Sequence, residues 1–400
     1  MYLINASYIL TKDEVLVQSA IVFDKTIRAI GDKGELLQQY PQAKEIVLNE
    51  GSVVMPGLIN AHVHLEFSSN KTELKYGSFM PWLYSVIANR EKLSQLCEDD
   101  CMKSAIEGML RSGTTTIGAI SSWGYDLNVC VESAMKVIYF NEVIGSNPAA
   151  VDALWADFLD RLRISKEHTS ETFTPAVAIH SAYSVHPVLV KKSVEIVKDE
   201  GMQLSAHFLE SQAERDWLDR SEGEFFPFFK DFLNIRKSHT SAKEFLENIE
   251  GTQALIVHAG HASPDEVEQI KASQHSFVHC PVSNRLLGND RLSIEGLNYM
   301  SATDGLSSNT SLNLFDELKS ALFIHHERDL HQLAKELVSS VTDVAADALK
   351  LNRGRIEIGY EADIIVLDTK TSTITPEDLH LHILLQEYDV SHTFINGEIV

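Results

Sequence analysis

Two histidines separated by one residue stand in the segment Pro56-Gly57-Leu58-Ile59-Asn60-Ala61-His62-Val63-His64. Successive side chains of a β-strand point to opposite faces, so a strand here directs the imidazoles of His62 and His64 to the same side. Two imidazoles on one side can hold a divalent metal ion. The alternative is structural, with one histidine packed in the core and the other facing solvent. Candidate ligands elsewhere in the chain decide between these interpretations.

Between residues 52 and 303, short apolar runs alternate with helical patterns. Eight runs have the composition of parallel strands buried on both faces: Ser52–Leu65, Thr114–Ser121, Val137–Ile144, Phe173–Ser184, Gln203–Phe208, Ala254–Ala259, Ser276–Pro281 and Met300–Thr303. Helices are predicted between most of them, at Phe79–Arg111, Val151–Ser165, Pro187–Glu200, Pro264–Ala272 and Leu312–His325. Eight strands that alternate with helices predict an α/β protein with a (β/α)8 TIM barrel.

The two ends of the chain have the pattern of a small antiparallel sheet. The β-rich runs are Tyr2–Leu10, Leu16–Phe23, Ile27–Ile30, Glu45–Leu48, Ile356–Gly359, Ala362–Leu367 and Ser391–Val400. Neither block is long enough to enclose a core by itself. We therefore predict a composite β-sandwich domain of residues 1–55 and 352–400, beside a catalytic barrel domain of residues 56–351.

The composition excludes several classes of partner. The chain of 400 residues has 34 basic and 57 acidic side chains and a net charge of −23, which opposes binding to nucleic acids and anionic membranes. No apolar run has the length of a membrane span, and the first residues do not resemble a signal peptide. The four cysteines are too scattered for a disulfide framework, and we expect Cys97 and Cys101 to be packed thiols. These features predict a cytoplasmic protein.

Histidines and acidic residues gather at the predicted carboxyl ends of the barrel strands, where the active sites of this fold lie. Six of the eight strands end in such residues: His62 and His64, His180, His207 and Glu210, His258, His279, and Asp304. Each residue alone could equally be a core or surface residue. Their joint placement favours one shared site.

The residue types at these strand ends suggest a catalytic metal site. Three imidazoles and one carboxylate around a divalent ion leave a position open for water. We assign as ligands His62, His64, His207 and Asp304. Zinc and iron(II) both suit these ligands, and we expect one ion of either kind. Such an ion lowers the pKa of bound water towards about 7, so that hydroxide becomes available at neutral pH.

Two further side chains are candidates for proton transfer and for stabilising charge. Glu210 follows His207 by three residues and is assigned as the general acid and base; its alternative is a solvated loop carboxylate. His258 ends its apolar run and is assigned to hydrogen-bond the attacking water and the developing oxyanion. His261, three residues further on, competes with His258 for that role.

The motifs at these strand ends resemble those of the amidohydrolase superfamily, in its mononuclear deaminase branch with the chlorohydrolase-like and cytosine deaminase-like enzymes. The resemblance covers nearly the whole chain. Besides the segment that ends at His64, it rests on Ser112-Gly113-Thr114-Thr115-Thr116, His180-Ser181-Ala182-Tyr183-Ser184, His207-Phe208-Leu209-Glu210-Ser211, His279-Cys280-Pro281-Val282-Ser283-Asn284, Thr303-Asp304-Gly305-Leu306-Ser307-Ser308-Asn309 and residues 359–367.

The resemblance implies hydrolytic deamination of an amino-substituted aromatic ring. In that reaction water activated by the metal attacks the ring carbon that bears the amine, Asp304 receives the water's proton, Glu210 protonates the ring nitrogen, and ammonia departs. His180 then contacts the heterocycle. Residues 176–184 contain no lysine that could bridge two metals, which favours one ion and argues against cyclic-amide hydrolases.

Within this branch, four segments resemble the aminofutalosine deaminases of the alternative menaquinone pathway. They are residues 67–71, 76–83, 121–123 and 283–288. The implied substrate is 6-amino-6-deoxyfutalosine, an adenine nucleoside with a benzoate-bearing arm. Arg285 is a candidate partner for that carboxylate, or else a surface ion-pair residue. Trp82 either stacks on a ring of the substrate or packs in the core, and Ser308 is a further candidate substrate contact.

Other interpretations stay open. The same chemistry suits S-adenosylhomocysteine, methylthioadenosine, adenosine or guanine as substrate. A non-catalytic barrel that serves in assembly is the alternative from another class, although such a protein would be expected to have lost ligands. A homodimer is possible. Five aromatic residues after the fifth barrel strand either roof the pocket or pack an inserted helix or a dimer contact: Phe225, Phe226, Phe228, Phe229 and Phe232.

Overall fold

The computed structural model describes residues 1–69, 74–96, 99–369, 374–386 and 388–400, with the backbone alone for residues 90–96. Its strands are β1 Tyr2–Leu10, β2 Val15–Phe23, β3 Ile27–Gly31, β4 Lys44–Val47, β5 Val53–Pro56, β6 Leu58–Val63, β7 Thr114–Ser121, β8 Lys136–Val143, β9 Phe173–Ser181, β10 Leu204–Phe208, β11 Leu255–His258, β12 Ser276–His279, β13 Tyr299–Ser301, β14 Ile364–Asp368, β15 Asp389–Ile395 and β16 Glu398–Ile399.

The α-helices lie mostly between the barrel strands. They are α1 Lys33–Gln39, α2 Phe79–Leu96, α3 Asp99–Arg111, α4 Leu127–Glu132, α5 Val151–Glu167, α6 Pro187–Glu200, α7 Gln212–Arg220, α8 Phe225–Leu233, α9 Ala242–Ile249, α10 Pro264–Ala272, α11 Pro281–Leu286, α12 Leu314–Ile324, α13 Leu330–Ser340, α14 Asp343–Ala348 and α15 Leu379–Leu385. None of the helices in the described part of the chain is long and apolar enough to cross a membrane.

Strands β6 to β13 form one parallel sheet in chain order, which confirms the predicted barrel. Polar contacts join its first and last strands. The amide nitrogen of Asp304 donates to the carbonyl oxygen of His62 over 3.1 Å. The side chain of Asn60 donates to Thr303 Oγ1 over 2.7 Å and accepts from the Thr303 amide over 3.2 Å. The two ends of the sheet therefore meet beside the predicted ligands.

A second sheet combines both chain termini, as predicted, in the order β16-β15-β14-β5-β1-β2-β3, with β4 paired to β1. Its pairs are antiparallel, except that β1 runs parallel to β4 and β5. The side chains of Ile21, Phe23, Val54, Ile364 and Phe394 form part of one buried cluster. This cluster draws on both termini, so each terminal block buries apolar surface against the other.

The predicted first barrel strand, Ser52–Leu65, is two strands in the structure. Strand β5 belongs to the terminal sheet and β6 to the barrel. Gly57 lies between them, and its amide donates to the Asp363 carbonyl over 2.9 Å. A Cβ atom at Gly57 would lie 2.3 Å from the side chain of Thr115, so the chain can change sheets here only because residue 57 lacks a side chain.

Buried charges connect the barrel to the terminal sheet. Lys136, at the start of β8, has a side-chain exposure of 2% and lies 2.8 Å from Asp363 and 2.6 Å from Glu361. Arg353 lies 2.9 Å from Glu361. Removing one partner would leave a buried charge uncompensated, so this network fixes the two sheets relative to each other.

Two local expectations are corrected. The predicted helix Phe79–Arg111 is the two helices α2 and α3; Asp99 and Asp100 stand in the first turn of α3, where acidic residues favour a helix start. Cys101 is disulfide-bonded rather than a packed thiol, and Cys97 lies outside the described residues. Cys130 and Cys280 are buried free thiols.

Candidate active site

Three imidazoles converge at the carboxyl ends of β6 and β10. The Nε2 atoms of His62 and His64 lie 3.2 Å apart, those of His62 and His207 3.1 Å, and those of His64 and His207 3.4 Å. Tetrahedral coordination with Zn–N bonds of 2.0–2.1 Å separates neighbouring nitrogens by about 3.3 Å. This triangle therefore has the dimensions of a metal site, and the three residues form a group able to hold an ion.

The protonation states of these imidazoles also suit a metal. The Nδ1 atom of His207 lies 2.6 Å from the His180 carbonyl oxygen, to which it donates, so its Nε2 keeps a free lone pair. Burial, with a smaller contribution from His180, lowers the pKa of His207 to about 3. Burial also lowers the pKa of His62 well below its usual range. Both rings are therefore neutral, which is the form that coordinates metals.

Asp304 lies beside this triangle, after the last barrel strand. Its Oδ1 is 3.6 Å from His64 Nε2 and 3.9 Å from His62 Nε2. Its Oδ2 accepts from Ser283 Oγ over 2.8 Å and from Ser308 Oγ over 3.2 Å. Burial raises the pKa of Asp304, but the imidazoles of His64, His258 and His207 outweigh it and hold that pKa below its usual value. Asp304 is therefore an oriented carboxylate that can act as a ligand or as a base.

His258 lies between two carboxyl groups. Its Nε2 is 3.7 Å from Glu210 Oε1 and 3.9 Å from Asp304 Oδ2. Its Nδ1 lies 2.9 Å from Asn284 Oδ1, which can only accept, so the proton is on Nδ1 and Nε2 faces the site. The backbone of His258 has φ +70°, a strained value for a residue with a side chain, and such strain is common at functional sites.

Glu210 is buried and close to other acidic groups. Burial, followed by the charges of Asp304 and Glu214, raises the pKa of Glu210 well above its usual value. The shift favours the protonated carboxyl group, which is the form that a general acid requires. The site thus combines a metal-sized cluster of neutral imidazoles, a carboxylate at Asp304 and a carboxyl group of raised pKa at Glu210, which is the equipment for metal-assisted hydrolysis.

Comparison with known proteins agrees with this chemistry. Residues 53–400 match the family model described as "Amidohydrolase family". The chain belongs to the amidohydrolase family. This confirms the resemblance that the strand-end motifs showed. The family match extends over the whole barrel and the carboxyl-terminal strands of the second sheet.

Individual relatives of this amidohydrolase are deaminases by name. It is 45% identical to the aminodeoxyfutalosine deaminase of a Nitratiruptor species, over 100% of this chain and 99% of the relative. It is 36% identical to an adenosine deaminase of Helicobacter pylori, over 97% of this chain and 96% of the relative. The crystal structure of Helicobacter pylori aminofutalosine deaminase in complex with methylthio-coformycin superposes with a TM-score of 0.95, at 35% identity and 100% coverage of both chains.

The substrate contacts predicted for the amidohydrolase lie at different distances from the triangle. The rings of His180 and His207 have centroids 5.3 Å apart, and His180 Nδ1 lies 2.6 Å from Ser184 Oγ. Ser308 contacts Asp304, as described above. Trp82 is half-buried, and its indole donates to the Ser307 carbonyl over 3.0 Å. Arg285 is exposed on α11, and the described residues give it no ion pair.

His279 does not face the site, although it ends a barrel strand. Its Nε2 lies 3.0 Å from His325 Nε2 at the end of α12, and its ring is 6.3 Å from that of Tyr299. Strand β12 therefore turns this side chain outwards, towards the helices. His261 lies beside Asp290, at 3.7 Å, rather than among the ligands, so the geometry favours His258 for the role over which the two competed.

Three residues of the site received no role from the sequence. Ser283 orients Asp304, Asn284 fixes the tautomer of His258, and Glu214 lies behind Glu210. Ser283 and Asn284 are polar residues that directly follow a barrel strand, and this position was the available signal. For Glu214, the signal was the capping pattern Ser211-Gln-Ala-Glu214 at the start of a helix.

The phenylalanine-rich segment forms α8. Phe225 and Phe229 are buried; Phe225 packs 4.5 Å from Tyr183 and Phe229 stacks 4.5 Å from Trp217, measured between ring centroids. Phe232, in contrast, is 58% exposed. Packing of an inserted helix therefore accounts for the inner two phenylalanines.

Proposed function

We propose that this amidohydrolase is a metal-dependent hydrolytic deaminase of an adenine-type nucleoside, and that its substrate is 6-amino-6-deoxyfutalosine, which it converts to futalosine and ammonia. The observation that carries this proposal is the convergence of three Nε2 atoms within 3.1 to 3.4 Å beside Glu210, a carboxyl group whose pKa burial raises. The 45% identity to an aminodeoxyfutalosine deaminase supports the choice of substrate. A purely structural barrel would have no reason to keep this set of residues.

The residues that would hold the ion are His62, His64, His207 and Asp304. Their nitrogen and oxygen donors suit one Zn²⁺ or Fe²⁺ ion. Such an ion, when bound, lowers the pKa of a coordinated water molecule towards about 7. A second ion at Glu142, His180 and His207 is disfavoured, although these three side chains also lie close together. Both nitrogens of His207 are already committed, Nε2 to the triangle and Nδ1 to the His180 carbonyl.

The side chains of this chain then divide the proton transfers. Asp304, held by Ser283 and Ser308, accepts a proton from the attacking water. Glu210, whose raised pKa favours its protonated form, gives a proton to the ring nitrogen next to the carbon under attack. His258 presents Nε2 between these two carboxyl groups and hydrogen-bonds the incoming oxygen. A C–O bond forms and the C–N bond to the amino group breaks. The proton that Asp304 took from water passes to the amino group, which leaves as ammonia, while the proton from Glu210 stays on the ring nitrogen. The second proton of the water leaves the new hydroxyl group as it becomes a carbonyl and returns to Glu210.

Binding of the nucleoside is proposed at the same rim. His180, next to His207, is placed to contact the heterocycle, and Ser308 and Trp82 lie on the side of Asp304. Arg285, exposed and without an ion-pair partner among the described residues, is proposed to meet the carboxylate of the arm. Adenosine is the second candidate substrate, because the Helicobacter pylori relative at 36% identity is named an adenosine deaminase. A cytoplasmic location and a homodimer stay predictions.

A turnover assay tests the proposed function. Ammonia release is measured from 6-amino-6-deoxyfutalosine, S-adenosylhomocysteine and adenosine, with the wild type and with Glu210→Gln. We expect the first substrate to have the highest kcat/KM. Glu210→Gln keeps its metal and loses about 10²- to 10⁴-fold in kcat. The matched control Glu222→Gln changes an exposed carboxylate and keeps full activity.

Two outcomes would contradict the proposal. Preference for adenosine would overturn the substrate, and full activity of Glu210→Gln would overturn the role of Glu210.

A further inference from the structure

Glu214 is a fully buried carboxylate in the first turn of α7. Its Oε2 accepts the backbone N–H of Glu210 over 3.0 Å. Ser211 caps the same helix, because its Oγ accepts the Glu214 amide over 3.2 Å. The carboxylate of Glu214 thus holds the backbone of the proposed acid.

This arrangement differs from two ordinary capping boxes in the same chain. In α9, Glu244 Oε2 accepts from the amide of Ser241, its own N-cap residue, over 3.0 Å. In α10, Glu266 reaches the amide of Ser263 over 2.7 Å in the same way. Glu214 occupies the equivalent third position of α7 but reaches past Ser211. Its carboxylate therefore serves the chain before the helix rather than the helix end alone.

The turn at Leu209 and Glu210, to which Glu214 is hydrogen-bonded, has a strained backbone. Leu209 has φ +47°, a left-handed conformation that is unfavourable for a leucine. The Leu209 carbonyl accepts from the His261 amide over 3.0 Å, and the Ala259 amide donates to the Phe208 carbonyl over 2.9 Å. These bonds connect the turn to the strand end that carries His258. The turn is what brings Glu210 Oε1 to 3.7 Å from His258 Nε2.

We infer that Glu214 is a positioning residue: its carboxylate holds the Leu209–Glu210 turn in the conformation that aims Glu210 into the site. This inference rests on the proposed function. Burial raises the pKa of Glu214 to about 7, against the hydrogen bond from the Glu210 amide, which favours the ionised form. In the ionised form that bond is charge-assisted and stronger than a neutral one, so a carboxylate suits this task. A displacement of the reacting group by about 1 Å can cost about 10²-fold in rate, which sets the expected effect.

The test is a double-mutant cycle between residues 214 and 210. Glu214→Met keeps the length of the side chain and removes the acceptor, and Glu214→Gln restores a neutral acceptor. We expect Glu214→Met to lower kcat about 10²-fold with KM nearly unchanged and metal content retained, and Glu214→Gln to recover most of that loss. In the Glu210→Gln background, Glu214→Met then lowers kcat by less than about 2-fold, since no acid is left to position. Glu244→Met, which removes an ordinary capping box, is the matched control and keeps full activity.

Several results would overturn the inference. They are an unchanged kcat in Glu214→Met, a loss of equal size with and without Glu210, and a loss of equal size in Glu244→Met. If Glu214→Met does not fold, Glu214→Gln is measured in the same cycle. Its weaker acceptor predicts a loss of about 3- to 10-fold that again disappears in the Glu210→Gln background. Failure of the wild type to release ammonia would count against the proposed function instead, so the two failures are distinguishable.

Discussion

The amide nitrogen of Asp304 donates to the carbonyl oxygen of His62 over 3.1 Å, so the residue after the last barrel strand is joined to a proposed ligand on the first. The two residues are far apart in the chain, and only closure of the barrel brings them together. The positive φ of Asp304, +59°, is part of the same arrangement. The geometry of the candidate metal site therefore depends on closure of the barrel.

A substitution at Asn60 tests whether barrel closure and metal binding depend on each other. Its side chain makes both the 2.7 Å bond to Thr303 Oγ1 and the 3.2 Å bond from the Thr303 amide. We expect Asn60→Ala to lower the free energy of unfolding by about 2 kcal/mol, because buried polar groups lose their partners. The variant should also lower metal content, as urea titration and elemental analysis would measure. Asn298→Ala, an exposed residue just before β13, is the control and should change neither quantity.

The lowered pKa of His275 predicts that the protein loses part of its stability at low pH. It is buried, its Nδ1 accepts the Ala254 amide over 2.9 Å, and burial lowers its pKa to about 4. The folded protein therefore binds this proton less tightly than the unfolded chain, whose histidine has a pKa near 6.5. Neutral His275 therefore contributes to the free energy of unfolding above pH 6.5, and this contribution is lost as the pH falls towards 4. Between pH 7.5 and pH 5, this loss lowers the free energy of unfolding by about 2 kcal/mol.

The corresponding variant is His275→Gln, whose amide oxygen can still accept the Ala254 N–H. Urea unfolding measures how much the free energy of unfolding falls from pH 7.5 to pH 5. In His275→Gln this fall should be smaller than in the wild type by about 2 kcal/mol. The exposed His326, changed to Gln, should leave the drop unaltered. An equal drop in His275→Gln and the wild type would show that this histidine does not contribute.

Gly118 is a second sensitive position, in β7 beside the first barrel strand. A Cβ atom there would lie 2.3 Å from the backbone oxygen of Ala61, the residue before His62. Backbone cannot move aside as a side chain can, so we expect Gly118→Ala to destabilise the fold by about 2 kcal/mol or more. Gly108 in α3 has open space around it, and Gly108→Ala should stabilise by up to about 1 kcal/mol. Thermal unfolding should show a lower melting temperature for Gly118→Ala and a higher one for Gly108→Ala. Equal shifts of the two melting temperatures would contradict this account.

The sequence predicted the parts of the site that depend on strand order. One rule, that barrel strands present their carboxyl ends at a common rim, predicts the convergence that the structure shows for His62, His64, His207, Glu210 and Asp304. The same rule wrongly placed His279 in the shared site. Side chains alternate between the two faces of a strand, and the sequence does not tell on which face the last side chain of this strand lies. Only the contact with His325 decides that question.

Other features depend on contacts between distant residues and have weak local signals. The break at Gly57 reflects the side chain of Thr115, and the tautomer of His258 reflects Asn284. Glu214 has the signature of a helix cap, and sequence gives no sign that its carboxylate reaches past Ser211. Such details arise from packing of segments that only the fold brings together.

The most direct test of the central claim is the metal content of the purified chain and of ligand variants. The account predicts about one zinc or iron ion per wild-type chain. His207→Ala should retain its fold by circular dichroism and lose nearly all bound metal, whereas His326→Ala, at an exposed histidine, should keep it. A wild type that binds no divalent ion, or a His207→Ala variant that still binds a full equivalent, would contradict the account.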